Sequence, residues 1–471
     1  MRAVVVGAGI GGLVAAQLLR KAGLEVLVLE AHTYPGGLAG SFYHKGYRFD
    51  AGATLLSGLA PGAPLDSLGR LLGLSWPVQP LARGFPLMEV FLPQGKVVRP
   101  VGREEERLAQ EEAFGPKVLP FWDWQGDRAR KLLALSPWLT WPPEREEVLS
   151  LARLVPGLTL LLPDLVLRAS FRAPDIPGFR RFLEAQLLIS AQAPDAYALY
   201  AAMALDLPHL GPALVPGGLG RVAEALAEGL EVRYRARVLR LLREGGKAVA
   251  AEVVYGGRRR GEREVVKGEV FLLNVPSRPL LGLPEAVPRD AWGAFVVYGV
   301  LPFAVSPPFY RQNAKEKPFA FLSLRPEGKE TVFSLSLHTP LDLWLGASAQ
   351  DYVRLKALWQ EKALSLGEVL LPGLREAELL FAATPLTYRR FVGRAWVGGY
   401  PQTHPWRFPR VRVLKNAFRV GEGVFPGQGI PAAVLSGFRA ARLALAYLGL
   451  REALASLGTP GWPVPSGPPA P

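Results

Sequence analysis

The chain has 471 residues, 49% of them hydrophobic and 10% aromatic, which is enough apolar surface to bury a sizeable core. The absence of cysteine excludes disulfides, thiolate metal ligands and a cysteine nucleophile, so any electron chemistry must come from a bound cofactor. The formal charge of +14 would suit binding to nucleic acid or to an anionic membrane surface. The chain has only five histidines and none at ligand spacing, so we predict no metal site.

The start of the chain predicts a strand, a tight turn and a helix. The β-branched run 3–6 ends in a glycine-rich stretch, after which leucines recur at helical spacing. In such a turn Gly7 lets the chain reverse, Gly9 lets backbone approach a diphosphate, and Gly12 lets the helix pack closely on the strand. An export signal would need an apolar run that these glycines interrupt, so we expect an ordered fold here.

A second strand is predicted at residues 26–29 and ends at Glu30. A carboxylate at this position accepts hydrogen bonds from an adenosine ribose and repels a 2'-phosphate. Strand, turn, helix and acidic residue together predict a dinucleotide site that disfavours NADP. The alternative is a glycine-rich turn that only connects two elements and binds no cofactor.

Two glycine-containing stretches follow, at residues 36–42 and 46–53. They resemble the segment found at this place in amine oxidases, phytoene desaturases, carotenoid isomerases and retinol saturases. The resemblance implies FAD as the cofactor, with the paired glycines against its diphosphate and the second turn beside the flavin. Leu38 departs from the family, because many relatives carry arginine there, so that charge is absent or comes from elsewhere.

Residues 149–171 and 179–204 predict helices or broken helices with large apolar faces, punctuated by Arg153, Arg168, Arg172, Arg180 and Arg181. Arginines at the rim of an apolar face can reach anionic headgroups while leucines enter the bilayer edge. The alternative is the buried core of a helical lobe, and amphipathicity does not separate the two. No stretch reaches the roughly 18 apolar residues of a spanning helix, so we expect a cytoplasmic protein peripherally associated with the inner membrane face.

The middle of the chain predicts a return to the nucleotide domain. A helix over 216–230 and a strand over 231–238 resemble the family's return segment, in which Val238 contacts adenine through its backbone or is an ordinary core valine. A hairpin is predicted between 249–255 and 265–273, and three arginines in its turn, 258–260, favour a solvated turn over a phosphate-binding patch. We therefore predict no nucleic-acid partner.

Residues 384–400 resemble the late part of the family's substrate domain. Aromatic side chains here and just beyond are candidates for the wall of a substrate tunnel, with ordinary core packing as the alternative: Tyr388, Phe391, Trp396, Tyr400 and Trp406. His404 and Glu184 are candidate acid/base residues, although lone titratable groups are more often surface or satisfied groups. No catalytic residue is assigned, because the flavin carries the chemistry.

Residues 418–441 resemble the segment that closes the flavin site in this family. Glu422 is implied to bind a ribityl hydroxyl, and the glycines at 427–429 with the following helix are implied to face the flavin. A helix N-terminus stabilises the negative charge of a reduced flavin. The residues that the resemblance assigns to FAD are Gly7, Gly9, Ile10, Gly11, Gly12, Glu30, Ala31, Gly36, Gly37, Leu38, Ala39, Gly52, Ala53, Val238, Asn274, Gly421, Glu422, Gly429, Ile430 and Ala433.

The resemblance implies an α/β fold in which a Rossmann-like FAD-binding domain of the GR2 flavoprotein type is interleaved with an α+β substrate domain carrying an apolar helical lobe. The first domain comprises 1–75, 210–285 and 410–455, the second 76–209 and 286–409, and 456–471 is a proline-rich tail. We expect desaturation or isomerisation of an apolar isoprenoid polyene by hydride transfer to the flavin. The alternatives are a flavin amine oxidase and a flavin- or isoprenoid-binding carrier without turnover. The sequence leaves the oligomeric state open.

Overall fold

The computed structural model describes residues 1–136, 139–148, 154, 161–404 and 407–457. In chain order its strands are β1 (Arg2–Val6), β2 (Glu25–Leu29), β3 (Ser41–His44), β4 (Tyr47–Asp50), β5 (Gln79–Pro80), β6 (Pro86–Leu92), β7 (Gly95–Pro100), β8 (Ala213–Leu214), β9 (Glu231–Arg233), β10 (Ala236–Glu244), β11 (Lys247–Tyr255), β12 (Arg263–Lys267), β13 (Val270–Leu273), β14 (Trp292–Leu301), β15 (Tyr310–Asn313), β16 (Ala320–Glu327), β17 (Glu330–Pro340), β18 (Leu379–Ala383), β19 (Arg412–Leu414) and β20 (Ala417–Arg419). Its helices are α1 (Ile10–Lys21), α2 (Pro64–Leu72), α3 (Arg103–Phe114), α4 (Leu119–Leu135), α5 (Leu162–Val166), α6 (Phe179–Ala191), α7 (Ala198–Asp206), α8 (Gly220–Ala227), α9 (Ser277–Leu280), α10 (Asp342–Leu345), α11 (Ala349–Leu370), α12 (Pro385–Val392), α13 (Ile430–Tyr447) and α14 (Arg451–Ser456).

One layer is a six-stranded sheet in the order β19-β20-β13-β1-β2-β9. All its neighbours pair in parallel except the edge strand β19, which is antiparallel to β20. Strand β1 is apolar along its length because both of its faces are covered: Val4 and Val5 lie in two different cores and are both fully buried. The sheet therefore lies in the middle of a three-layer domain.

Helices cover one face of this sheet, and the three-stranded sheet β10-β11-β12 covers the other. Helices α1 and α13 approach closely because Gly437 has no side chain. A Cβ on that residue would lie 2.8 Å from the carbonyl oxygen of Gly11. The first helix and the last long helix that the structure describes are thus packed directly on each other, which brings the glycine-rich turn and the segment before α13 together.

The second large layer is a seven-stranded sheet in the order β18-β14-β17-β16-β15-β6-β7. Side chains of β14 alternate between its faces, as the two-residue period of a strand requires. Phe295 and Val297 pack into a core with α11, whereas Val296 and Tyr298 pack into a different core with Phe49 and Tyr388. The face that carries Val296 is the one turned toward the candidate site.

A helical lobe built from α3, α4, α6 and α7 packs against this sheet. Phe179 and Phe182 of α6 are fully buried with Phe121 of α4, so the buried-core interpretation holds for these faces. The predicted helical stretch 149–171 is described only at residues 154 and 161–171, and Arg153 lies outside the described residues. Among the helices that the structure describes, none is long and apolar enough to cross a membrane.

Three local predictions are wrong. The hairpin that contains arginines 258–260 ends at Lys267, and β13 instead joins the six-stranded sheet beside β1. The strand expected over 231–238 is broken at Arg235, whose φ of 56° turns the chain out of one sheet and into another. The helix expected over 216–230 is shorter and corresponds to α8, because the chain before it forms a glycine-rich turn.

The six-stranded sheet takes its strands from all three segments predicted to form the nucleotide domain. Strands β1 and β2 come from the first segment, β9 and β13 from the second, and β19 and β20 from the third. The domain boundaries themselves stay a prediction. Most of the expected proline-rich tail, residues 458–471, lies outside the described part of the chain.

Candidate active site

A cavity of about 470 Å³ lies where the two large layers meet. Its wall includes Gly9 from the first turn of the chain and Gly429 from the segment before α13. The two chain ends therefore share one groove, as the sequence analysis requires. The rest of the wall comes from the helical lobe, from the seven-stranded sheet, and from residues within the segments 36–57, 273–286 and 388–433.

The glycine-rich turn at the start of the chain is held by a buried carboxylate. Glu30 accepts hydrogen bonds from the backbone N–H of Ala8 at 2.6 Å and of His32 at 2.8 Å. Helix α1 then begins at Ile10 with no side chain capping its N-terminus and no acidic residue in its first turn. Its free N–H groups and partial positive charge face the cavity, which suits an anionic group such as a diphosphate.

Asn274 joins the two ends of the chain beneath this turn. With its amide oriented to satisfy both neighbours, Oδ1 accepts from the N–H of Gly9 at 2.9 Å and Nδ2 donates to the carbonyl of Val420 at 3.2 Å. A Cβ on Gly9 would lie 2.2 Å from this amide. A Cβ on Gly11 would lie 2.9 Å from the backbone of Gly421. The glycines are required because two backbone segments cross here.

The second helix N-terminus at the cavity belongs to α13. Gly429, at φ 101°, precedes it without a side-chain cap, and Ile430 and Ala433 line the same cavity. The N–H of Gly421 donates to Ser436 Oγ at 2.8 Å, which fixes the crossing loop on the first turns of the helix. The N-termini of two helices, neither capped by a side chain, thus lie at one cavity.

Most of the residues assigned to FAD line this cavity: Gly9, Ile10, Gly11, Gly36, Gly37, Leu38, Ala39, Gly52, Ala53, Asn274, Gly421, Glu422, Gly429, Ile430 and Ala433. Gly7, Gly12, Glu30, Ala31 and Val238 are not among the lining residues. Gly7 and Gly12 shape the turn, because a Cβ on Gly12 would lie 2.4 Å from the carbonyl oxygen of Gly7. The backbone of Ala236 donates to the carbonyl of Glu30, which places the start of β10, the strand of Val238, beside the acidic residue.

Glu422 has a partner that the sequence analysis missed. Its carboxylate forms an ion pair with Arg394, and the two side chains are 23% and 10% exposed. Burial lowers the pKa of Arg394 to about 10, against the opposing effects of Glu285 and Tyr400. The cavity carries further cations at Arg278 and Arg419. These arginines place positive charge on the cavity wall, to which Leu38 contributes none.

The predicted tunnel aromatics divide into three groups. Tyr388, Trp396 and Tyr400 line the cavity. The hydroxyl of Tyr388 donates to the carbonyl of Ala51 at 3.1 Å, which fixes the 46–53 turn, and burial raises its pKa to about 12. Phe391 does not line the cavity: its ring is 49% exposed and stacks on His32, so its assignment to the tunnel is wrong. Trp406 lies outside the described residues.

The two acid/base candidates do not reach the cavity wall. Glu184 forms an ion pair at 3.0 Å with the exposed Lys317, so it is a partnered surface group. His404 is half-buried, and its backbone carbonyl accepts from the N–H of Arg407. Neither residue lines the cavity, so the structure gives the acid/base candidacy no support, and the alternative of a satisfied surface group holds for Glu184.

A different histidine, His338 on β17, faces the cavity. It lies opposite Ala294 across β14, and its Nε2 is 3.0 Å from Gln192 Oε1 at the end of α6. Burial lowers the pKa of His338 to about 4, while some of its surface stays accessible from the cavity. The pattern Ser334, Ser336, His338 on alternate positions of an apolar strand was the sequence signal for it.

The depressed pKa of His338 predicts a pH dependence of stability. Its ordinary pKa is 6.5, so between pH 6.5 and 4 the unfolded chain binds a proton that the folded chain does not. The free energy of unfolding therefore falls as the pH drops through this window, by about 2–3 kcal/mol for this residue. Urea unfolding at pH 7, 5.5 and 4.5 measures it. His338→Leu should flatten the slope, and an unchanged slope would contradict the assignment.

The glycine crossing and the two uncapped helices fit a cofactor that carries a diphosphate, and they define the class of site: a dinucleotide-cofactor cavity whose wall includes both the first turn of the chain and the segment before α13. The family described as flavin containing amine oxidoreductase matches residues 10–445, and the chain belongs to this family. It is an oxidoreductase family, and membership implies a flavin cofactor.

Relatives confirm the resemblance stated from the sequence. The chain is 26% identical to prolycopene isomerase 2, chloroplastic, of an Oncidium hybrid cultivar, over 96% of this chain and 84% of the relative. It is 24% identical to phytoene desaturase (neurosporene-forming) of Cereibacter sphaeroides, over 94% of both chains. The predicted fold class is also confirmed. A structure of putrescine oxidase bound to putrescine superposes with a TM-score of 0.61, at 18% identity over 95% of this chain and 99% of that one.

Proposed function

We propose that the chain is an FAD-dependent oxidoreductase that desaturates or isomerises an isoprenoid polyene. The observation that carries the proposal is the match to prolycopene isomerase and phytoene desaturase over nearly the whole chain. FAD, when bound, supplies the hydride acceptor or donor for such a reaction. Glu30 favours FAD among the flavins, because its position at the end of β2 is that of a ribose-binding carboxylate and FMN has no adenosine ribose.

The substrate side of the cavity supports an extended apolar ligand. Aliphatic and aromatic side chains from the lobe, from the seven-stranded sheet and from adjoining loops form part of the cavity wall: Leu55, Met88, Ile189, Ala204, Leu207, Val296, Phe321 and Trp396. Such a wall excludes water and holds a chain by its shape, and these are the contributions that hydride transfer needs from a protein. Neither a nucleophile nor a metal ion is required.

A flavin amine oxidase is the second candidate, favoured by the structural likeness to putrescine oxidase. The charges on the cavity wall argue against it. Four arginines and two glutamates are among the lining residues: Arg99, Arg278, Arg394, Arg419, Glu285 and Glu422. Arg99 is paired with the buried Glu106 at 2.9 Å, which leaves three arginines against two glutamates, and Glu422 is already paired with Arg394. A protonated amine would therefore enter a site of net positive charge. We therefore rank the polyene reaction first.

One incubation separates the candidates. Protein loaded with FAD, in its oxidised form and in a second series after chemical reduction of the flavin, is mixed anaerobically with phytoene, lycopene isomers or retinol in liposomes. The oxidised form is mixed in parallel with putrescine and aromatic amines. We expect a changed polyene product profile on chromatography, and bleaching of the flavin absorbance if the reaction is a desaturation. Reduction of the flavin by amines alone would establish the amine oxidase. A shifted polyene spectrum with no product would establish a carrier without turnover.

We also propose that the helical lobe docks on a membrane surface near Phe171. Leu162, Val166 and Phe171 are 53%, 64% and 75% exposed, although each is strongly apolar. Arg168 and Arg172 beside them pair with Asp195 and Asp164, so the apolar side chains carry the proposal. A cluster of this kind enters the headgroup region of a bilayer.

Two of these three side chains are replaced with serine in the double variant Val166→Ser with Phe171→Ser. This variant should bind anionic vesicles about ten-fold more weakly or worse, because it loses apolar area that the bilayer would otherwise bury. Vesicle sedimentation measures the partition. Val265→Ser is the matched control, since Val265 is 53% exposed on a strand of the three-stranded sheet. Equal losses of vesicle binding in the double variant and in Val265→Ser would show that the exposed side chains near Phe171 have no special role in membrane binding.

A further inference from the structure

Three polar side chains from different elements lie close together on the cavity wall. We name His338, Gln192 and Gln428 the amide–imidazole patch. All three line the cavity, and they come from β17, from the end of α6 and from the loop before α13. A Cβ on Gly398 would lie 2.3 Å from Gln192 Cγ and 2.6 Å from Gln428 Oε1, so these two side chains lie close together beside that glycine.

The patch has hydrogen-bonding capacity that the protein leaves unused. Gln428 Nε2 donates to the carbonyl of Ile189 at 2.8 Å, but its buried Oε1 has no partner among the described residues. Gln192 Oε1 is an acceptor for His338 Nε2, which therefore carries the proton. Nδ1 of the neutral ring is then an acceptor. Gln192 adopts a φ of 55°, an unusual backbone conformation for a residue with a side chain.

We propose that the amide–imidazole patch binds a hydroxyl group, so that the substrate is a polyene alcohol rather than a pure hydrocarbon. The inference rests on the proposed function and narrows its substrate class. A hydroxyl matches the patch because it donates one hydrogen bond and accepts others. It can donate to His338 Nδ1 or Gln428 Oε1 while it accepts from Gln192 Nε2. A carbonyl can only accept, and a methyl group can do neither.

A ligand without a hydroxyl group should bind the amide–imidazole patch less favourably than one that carries it. A hydrocarbon that fills this region displaces water from buried acceptors and leaves them without partners, which is unfavourable. A site that bonds a substrate hydroxyl discriminates strongly against the analogue that lacks it, for the same reason. Ser336, two residues before His338 on the same face, does not share this role, because its hydroxyl donates to the carbonyl of Phe321 at 3.4 Å.

The test compares three polyenes of equal size on the FAD-loaded protein: all-trans-retinol, all-trans-retinal and axerophthene, which has a methyl group in place of the CH2OH. Dissociation constants come from the polyene absorption shift and from tryptophan fluorescence quenching, without turnover. We expect retinol to bind about ten-fold tighter than axerophthene, with retinal between them. His338→Leu should bring the ratio of retinol to axerophthene affinity close to one.

Two further variants keep the result interpretable. Gln192→Gly removes the amide without backbone strain, because glycine tolerates positive φ, and it should also reduce the ratio even if His338→Leu does not fold. Ser336→Ala is the matched control and should leave the ratio unchanged. Equal binding of retinol and axerophthene by the unaltered protein would overturn the inference and leave the proposed function intact. Binding of none of the polyenes, with flavin reduction by amines, would overturn both.

Discussion

Gly11→Ala should abolish or severely weaken flavin binding, although it adds a single methyl group. The new Cβ would lie 2.9 Å from Gly421 Cα and N and 3.2 Å from the carbonyl oxygen of Ala433. All of these are backbone atoms, so no side chain can rotate to make room. Relief requires α1 and the 421–433 segment to move apart, which costs about 1–3 kcal/mol for overpacking of this kind. That movement also widens the gap between the N-termini of α1 and α13 at the cavity.

The measurement is the flavin content of the purified protein and the dissociation constant for FAD from fluorescence titration, which should rise at least about ten-fold. Gly126→Ala is the matched control. Gly126 lies inside α4, where the nearest atom to a new Cβ is Arg130 Nη1 at 3.5 Å, an ordinary contact. Alanine there should keep flavin binding and improve helix propensity by up to about 1 kcal/mol. Stoichiometric FAD in Gly11→Ala would contradict the crossing of the two chain ends as the cofactor site.

The cofactor end of the site was predictable because its requirements are local. A turn that brings backbone to a phosphate needs glycine at fixed spacing, and this leaves a pattern in one short stretch, as at Gly7, Gly9 and Gly12. The second strand and Glu30 follow within the same βαβ unit. Val4 and Leu27 pair in parallel in adjacent strands, as the short connection through α1 requires. Glycine spacing and an acidic residue within one βαβ unit can therefore be recognised from a single sequence.

The substrate end was not predictable in the same way, because its residues come together only through the fold. His338 meets Gln192, which lies 146 positions earlier in the chain. Tyr388 and Phe391 lie three positions apart on α12 and were equal candidates from sequence, yet one is buried at the cavity and the other is half exposed. Which face of α12 is covered depends on β14 and the 46–53 turn, and the helix pattern does not contain that information.

The ion pair between Arg394 and Glu422 predicts the second large effect. Both side chains are mostly buried at the cavity, so each compensates the other for the loss of hydration. Arg394→Met leaves a carboxylate without its cation beside the cofactor cradle, and Glu422→Leu leaves a guanidinium in surroundings that already lower its pKa to about 10. Each single variant should lower the free energy of unfolding by about 3–5 kcal/mol in urea titrations.

The double variant distinguishes a coupled pair from two separately important residues. If the charges compensate each other, Arg394→Met with Glu422→Leu removes both at once and should be destabilised by clearly less than the sum of the two single variants. Strictly additive losses would contradict the pairing. Titration of the two single variants and the double variant with FAD separates the effect on stability from the effect on cofactor binding. If Glu422 also bonds the cofactor, Glu422→Leu and the double variant both bind FAD more weakly, even though the double variant recovers stability. Arg394 would then act on the cofactor only by holding that carboxylate in place, so Arg394→Lys, which keeps a cation, should restore part of the affinity lost in Arg394→Met.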